Sequence, residues 1–308
     1  MYGPRMQRER VDPRGAAAAS LTAVLYGSSY VATAIALRGF TPLTVALWRG
    51  VIGGLALALL IGLVRSPAFR PHGLSRGGVG RLLLLAGLNG PAFIVSMNVA
   101  VSLAGASITA FVAGLYAVLA AVFAIPLLGE RPERSTLAAL VLALIGAALL
   151  GEVQLGGDTT LGVGVALLAA VFFAGFLVLS RRWSAAYGLP GPTIGLVAQA
   201  LSALVALGWA GAIGPILPAN PPGPDAIAAV IWLGLAVAAL ATALVVVGMR
   251  RLPARRASAF LLLNPPTAAI LSWLLLGERF NPGQFVGAAL VLVAMAVASG
   301  LWRGRPPA

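Results

Sequence analysis

LLGERP occupies residues 127–132 and LLGERF residues 275–280. Each closes an apolar run with a glycine, a carboxylate and a guanidinium, and the two lie 148 residues apart in a chain of 308. The match extends upstream at the same offset. ITAFVAGLYAVLAAVFAIPLLGERP (108–132) aligns with RASAFLLLNPPTAAILSWLLLGERF (256–280). Farther back, AVLYGSS (23–29) resembles AVFFAGF (170–176), and PLTVALWRG (42–50) lies over PTIGLVAQA (192–200) after a small shift. The chain therefore reads as two related halves.

Of the residues, 60% are hydrophobic and 9% charged, with a mean hydropathy of +0.98. A soluble domain carries roughly 25% charged residues, so a bilayer is the expected solvent. A crossing helix needs about 20 apolar residues, and ten segments fit: 17–36, 43–64, 79–101, 105–128, 135–151, 160–180, 192–214, 226–248, 255–276 and 282–301. Pro- and Gly-rich connectors such as SPAFRPHGLSRGG (66–78) and GPILPANPPGPD (214–225) separate them. The polar stretch 1–16, with four Arg, reads as a cytoplasmic tail before a retained helix rather than a signal peptide, because the apolar run after it is too long.

Arginine distribution gives an independent test. All 21 basic residues are Arg. With the N-terminus inside, 18 of them fall on the inner side, Arg38 and Arg279 on the outer, and Arg49 inside a helix. Ten helices with both termini cytoplasmic satisfy the positive-inside rule. Five helices per half is an odd number, so the second half enters the membrane upside down. The expected fold is all-α and integral to the membrane, with two inverted five-helix repeats (17–151 and 160–301) around a central cavity. An extracytoplasmic linker (152–159) joins them, and a cytoplasmic tail (302–308) follows. Such half-bundles can exchange roles, which is the basis of alternating access around a midplane site.

Ten helices, two repeats and a "P…LGE" pattern ending the fourth helix of each repeat resemble the drug/metabolite transporter superfamily, EamA-like branch. The resemblance covers about 17–301. PPTAAILSWLLLGERF (265–280) carries it best, with Pro265 thirteen residues before Glu278. PLTVALWRGVIGG (42–54) is similar to the family's second helix. The first repeat departs from the pattern, since Ala117 stands where the proline would be; the two halves are thus expected to bend differently. The resemblance implies a secondary transporter of the bacterial inner membrane, directed toward export.

Candidate site residues are the polar and aromatic side chains near helix midpoints. Tyr26, Ser29 and Tyr30 share one face of the first helix by their i, i+3, i+4 spacing. Arg49, Asn98, Tyr116, Phe173, Phe176, Thr242, Ser258, Asn264 and Trp273 complete the set. Tyr and Asn offer hydrogen bonds to amino or carboxylate groups, and aromatic faces can hold apolar groups or an ammonium. Arg49 lies two turns beyond Pro42, about 10 Å below the outer surface at 1.5 Å per residue. It either snorkels outward or attracts a substrate carboxylate. Gln199 takes its place in the second repeat. Asn264-Pro265-Pro266 and Pro91 mark backbone that proline frees from the helix ladder. Such polar residues also join helices to each other, for roughly 0.6 kcal/mol each. Glu130 and Glu278 read as helix stops at the headgroup boundary, or as gating or coupling groups, with Pro265 as a hinge.

Several function classes lose support. Cys is absent and His72 is the single histidine, which leaves no thiolate chemistry and no histidine metal centre; no cofactor or metal is expected. No Asp or Glu sits in mid-helix. That weakens proton-driven and lipophilic-cation pumping and favours facilitated diffusion or exchange of neutral or zwitterionic metabolites, amino acids among them. A multidrug exporter is the nearest alternative. A membrane-embedded enzyme needs a cluster of acid, base and nucleophile at one depth, and the sequence offers none; a non-transporting scaffold is a further alternative. The basic residues are dispersed among short loops, which argues for lipid headgroups and against nucleic acid. The expected partners are a small-molecule substrate and the bilayer. Two fused halves can form a whole transport unit, so a monomer is expected.

Overall fold

A computed structural model of the chain describes residues 12–64, 75–130, 134–150, 157–213, 221–251 and 262–298. These residues form helices and no strand: α1 (Pro13–Ala36), α2 (Pro42–Leu63), α3 (Arg76–Ala104), α4 (Ala106–Leu128), α5 (Arg134–Leu150), α6 (Asp158–Trp183), α7 (Gly191–Ile213), α8 (Pro224–Gly248, continuing to Arg251), α9 (Asn264–Leu276) and α10 (Pro282–Ala298). Seven of them, α1–α4 and α6–α8, are long and apolar enough to cross a membrane; α5 and α10 are shorter and apolar. The segments expected at 255–276 and 282–301 are described only from 262 and up to 298. Helix α1 starts at Pro13, ahead of the expected 17, because Asp12 caps it by accepting the Arg14 N–H and Pro13 fits the first turn.

Small residues fill the inside and large apolar ones cover the outside. Ala23, Ala46, Ala100, Ala113, Ala139 and Ala166 are buried, whereas Leu55, Leu63, Leu204, Trp209, Leu274 and Phe285 are exposed. Water would penalise such an exterior, but hydrocarbon does not. Between helices that already sit in lipid, close contact of small residues supplies the attraction. Repeat-equivalent helices pair with each other, α2 with α7 and α5 with α10. A Cβ added at Gly50 would stand 2.6 Å from the Gln199 carbonyl oxygen. Gly146 and Gly287 approach so closely that a Cβ on either would meet the other's carbonyl oxygen at 2.8 Å.

The helix ends meet in two sets. At one end Arg251 on α8 pairs with Asp12 before α1 (3.1 Å), Arg181 on α6 pairs with Glu130 after α4 (3.0 Å), and Arg81 on α3 lies over the Trp183 and Tyr187 rings after α6. At the other end Arg38 after α1 pairs with Asp225 at the start of α8 (3.6 Å), Asn98 on α3 donates to the Pro42 carbonyl of α2 (2.9 Å), and Glu278 after α9 accepts from the start of α4.

Three helices are interrupted, and the interruptions correspond. In α3, Leu88–Ala92 is π-helical with Gly90 out of helical geometry (φ −94°, ψ −107°) before Pro91. Proline disfavours helical backbone in the residue before it on steric grounds. In α8, Leu233–Leu240 is π-helical too. The 148-residue offset lays the first of these segments inside the second. The α3 segment packs on α7 and the α8 segment on α2, so each presses on the second helix of the other half. In α4, the turn Gly114–Leu115 splits the helix, and the offset lays it on the turn Leu262–Leu263 that precedes α9. The expected difference in bend falls on residues 252–261, outside the described residues. The ring of Pro265 reaches Gly114 from the other half: a Cβ at Gly114 would stand 3.1 Å from Pro265 Cγ.

Candidate functional site

A set of polar side chains lies in the bundle with few bonds to the protein. On α1, half-buried Tyr26 and buried Tyr30 lie within electrostatic range of the Arg49 guanidinium of α2. Tyr116, the first residue after the α4 turn, lies in reach of both tyrosines. The Thr242 hydroxyl on α8 lies within hydrogen-bonding reach of Tyr26, while itself donating to the Ala238 carbonyl (2.6 Å). Arg49 is only 7% exposed, and its Nε and Nη1 have no hydrogen-bond partner among the described residues. No ion pair to Arg49 occurs among those residues either. A buried guanidinium without a carboxylate is costly to hold.

Unpaired acceptors accompany it. Gln199 on α7 (6% exposed) and Asn264 at the start of α9 (8% exposed) each leave a side-chain oxygen without a partner. Asn98 leaves Oδ1 unpaired, but its Nδ2 is committed to Pro42 at the helix ends. Gly27 lets α9 approach α1 at this level: a Cβ there would stand 2.7 Å from Thr267 and 2.8 Å from the Asn264 carbonyl oxygen. Beside the polar set is an aromatic group. Phe173 stacks on Phe93 (centroids 4.8 Å), meets Tyr116 edge-on (4.8 Å), and touches Phe176 (5.5 Å).

The structure therefore brings together Tyr26, Tyr30, Arg49 and Tyr116, with Thr242 beside Tyr26, and places Phe173 and Phe176 next to Tyr116. Asn264 stands at the α1–α9 approach, with Pro265 buried behind it. Ser29 is buried but donates to its own helix at the Tyr26 carbonyl (2.6 Å). Trp273 is not part of the group: it is 57% exposed on the apolar exterior, while its neighbour Ser272 is buried. Ser258 lies outside the described residues. Phe93 was missed from sequence, although it follows the NGPA kink. Gly105, the one-residue joint between α3 and α4, was missed as well; a glycine dividing one long apolar run was its only signal.

The two GER turns differ in role. Gly129 and Gly277 end their helices with the same left-handed geometry (φ 72° at both). Glu130 is exposed and pairs with Arg181. Glu278 crosses to the other half and accepts the Ala106 and Ser107 backbone N–H groups, each at 2.9 Å. It thus caps α4, where the helix dipole favours an anion. Gly105 (φ 81°) makes room, since a Cβ there would stand 3.0 Å from Glu278 Oε1.

A helical bundle with an apolar exterior and a buried, under-bonded polar group is the build of a membrane carrier for a small solute. The EamA-like transporter family model matches residues 13–151 and 160–300, once for each half, and the chain belongs to that family. Among its relatives is an uncharacterized transporter, YwfM, of Bacillus subtilis (strain 168), 27% identical over 91% of each chain. Another is a probable terminal-alkyne amino-acid exporter of Streptantibioticus cattleyicolor, 28% identical over 92% of this chain and 93% of the relative. A solved crystal structure shares the fold with a TM-score of 0.63 at 22% identity, over 93% of this chain and 98% of that one. The names of the family and of these relatives are those of transporters, and the chain is an integral membrane protein.

Proposed function

We propose that the chain is a secondary transporter that exports or exchanges small metabolites bearing a carboxylate, amino acids foremost, by alternating access. It would work as a monomer in the bacterial inner membrane with both termini cytoplasmic. In this reading all ten helices cross, as two inverted repeats. The pairing of helix ends supports the inversion. Helix α1 begins at the end of the bundle where its counterpart α6 finishes, and α4 finishes there while its counterpart α9 finishes at the opposite end. The crosswise π segments support it too.

Arg49 carries the substrate class. A buried guanidinium with two unpartnered nitrogens, flanked by Tyr26 and Tyr30, is a receptor for a carboxylate. Liposomes holding the purified protein and loaded with amino acids, nucleosides and organic cations test the proposal by which compounds leave. Selective loss of amino acids is expected. Arg49→Ala should abolish it, with the protein's unfolding temperature checked separately. Loss of organic cations alone would favour multidrug export, the competing reading. The aromatic group of Phe93, Phe173 and Tyr116 is the observation on its side.

A further inference from the structure

We infer that Gln199 reads the ammonium end of the substrate, so that the site selects zwitterions over simple carboxylates; this rests on the transporter reading and deepens it. Gln199 is the counterpart of Arg49 in the second repeat. The pairing of α2 with α7 brings the two positions onto one contact. A Cβ added at Gly53, four residues on from Arg49 and hence on the same helix face, would stand 3.6 Å from Gln199 Cδ. The side chain of Gln199 therefore packs against α2 at Gly53, one helical turn on from the backbone position of Arg49. Gly53 and Gly54 leave the space it occupies; a Cβ at Gly54 would stand 3.7 Å from Gln199 Cβ.

The chemistry of the pair is complementary. Arg49 has only donors, and two of them are unpartnered. Gln199 Oε1 is an unpartnered acceptor in a residue more than nine-tenths buried. An α-amino acid places a carboxylate and an ammonium on one carbon. The guanidinium can hold one end and the amide the other, with a hydrogen bond of about 2.9 Å at each. A carboxylate at Gln199 would instead pair with Arg49 and quench it. A neutral amide accepts from the ammonium and leaves the guanidinium free for the substrate. Asn264 Oδ1, also unpartnered and buried, can take a second ammonium proton from the α9 side.

Competition binding in detergent with three matched probes tests this. Leucine carries both ends, 4-methylpentanoate lacks the ammonium, and 3-methylbutylamine lacks the carboxylate. The wild-type chain should prefer leucine to both analogues. Gln199→Leu should weaken leucine about tenfold or more and leave 4-methylpentanoate unchanged, so that the preference collapses. Gln199→Asn should recover part of it. Arg49→Ala should weaken leucine and 4-methylpentanoate together. If Gln199→Leu weakens those two probes equally, or neither, the inference is overturned while the transporter reading stands. A wild-type protein that binds none of the three overturns the amino-acid reading and the inference with it.

Discussion

The turns at 129–131 and 277–279 have the same three residues, Gly-Glu-Arg, and the same glycine geometry, yet their carboxylates do different work. Glu130 sits in an exposed ion pair, with Arg181 64% and Glu130 47% exposed. Such pairs contribute about 0–1 kcal/mol. Glu278 is partly buried and receives two backbone N–H groups from a helix 172 residues away in sequence. Local sequence determines the turn, and what faces the turn determines the role. The two copies of the turn meet different surroundings in this structure. The comparison thus asks whether Glu278 holds one end of the bundle closed while Glu130 does not.

The largest expected effect separates the two directly. Glu278→Ala leaves the Ala106 and Ser107 N–H groups without acceptors in a partly buried place, at a cost of about 2–4 kcal/mol. Glu130→Ala should cost no more than about 1 kcal/mol. Denaturant unfolding of both variants in detergent measures the gap, with Glu278→Gln, which keeps an acceptor, falling between them. Equal losses would break the comparison.

A second test moves from the carboxylates to the glycines. Gly105→Ala forces a side chain into φ 81°, ψ 170°, a region essentially limited to glycine, and puts its Cβ against Glu278. The expected cost is about 2–3 kcal/mol. Gly129→Ala keeps φ 72° but has nothing within 4 Å of the new Cβ, so only the left-handed penalty of about 1 kcal/mol applies. Because Gly105 and Glu278 form one contact, their double variant should lose less than the sum of the singles. Additive losses would mean that the glycine is needed for backbone geometry alone.

Much of this arrangement was legible in the sequence, and the rest was hidden for physical reasons. The apolar runs gave eight of the described helices to within a few residues at the ends that are described, while the start expected at 255 lies outside the described residues. Arg49 stood out as a charge in an apolar helix, and the structure buries it without an acidic partner among the described residues. Trp273 points away from the buried face of α9, which Asn264, Ala268 and Ser272 mark at i, i+4, i+8 spacing. The α4 turn in the first half was not foreseen, since no proline marks it in its own half and the ring that reaches Gly114, that of Pro265, comes from the other. The Glu278 cap was invisible for the same reason: it joins residues that only the tertiary fold brings together.

Asp12 offers a third helix-end carboxylate and the smallest effect. Like Glu278 it accepts a backbone N–H, from Arg14 at 2.9 Å, and like Glu130 it pairs with an arginine, Arg251 at 3.1 Å. The Arg14 N–H first, and then the Arg251 guanidinium, hold its carboxyl below the ordinary value of 3.8. A depressed value in the folded state means that the ionised form stabilises the fold. The contribution is fully present above pH 3.8 and is lost as the pH falls below that through the folded-state value. Unfolding temperature should thus fall more steeply below pH 3.8 in the wild-type chain than in Asp12→Asn, which cannot titrate. Above pH 5 both should give flat profiles, with the variant slightly lower. The exposed setting keeps the difference small, and this places Asp12 with Glu130 rather than with Glu278. If Asp12→Ala, which removes the acceptor, instead lowered stability as much as Glu278→Ala, accepting a backbone N–H would matter more than where the carboxylate is buried. The contrast between the two GER turns would then rest on the hydrogen bonds alone.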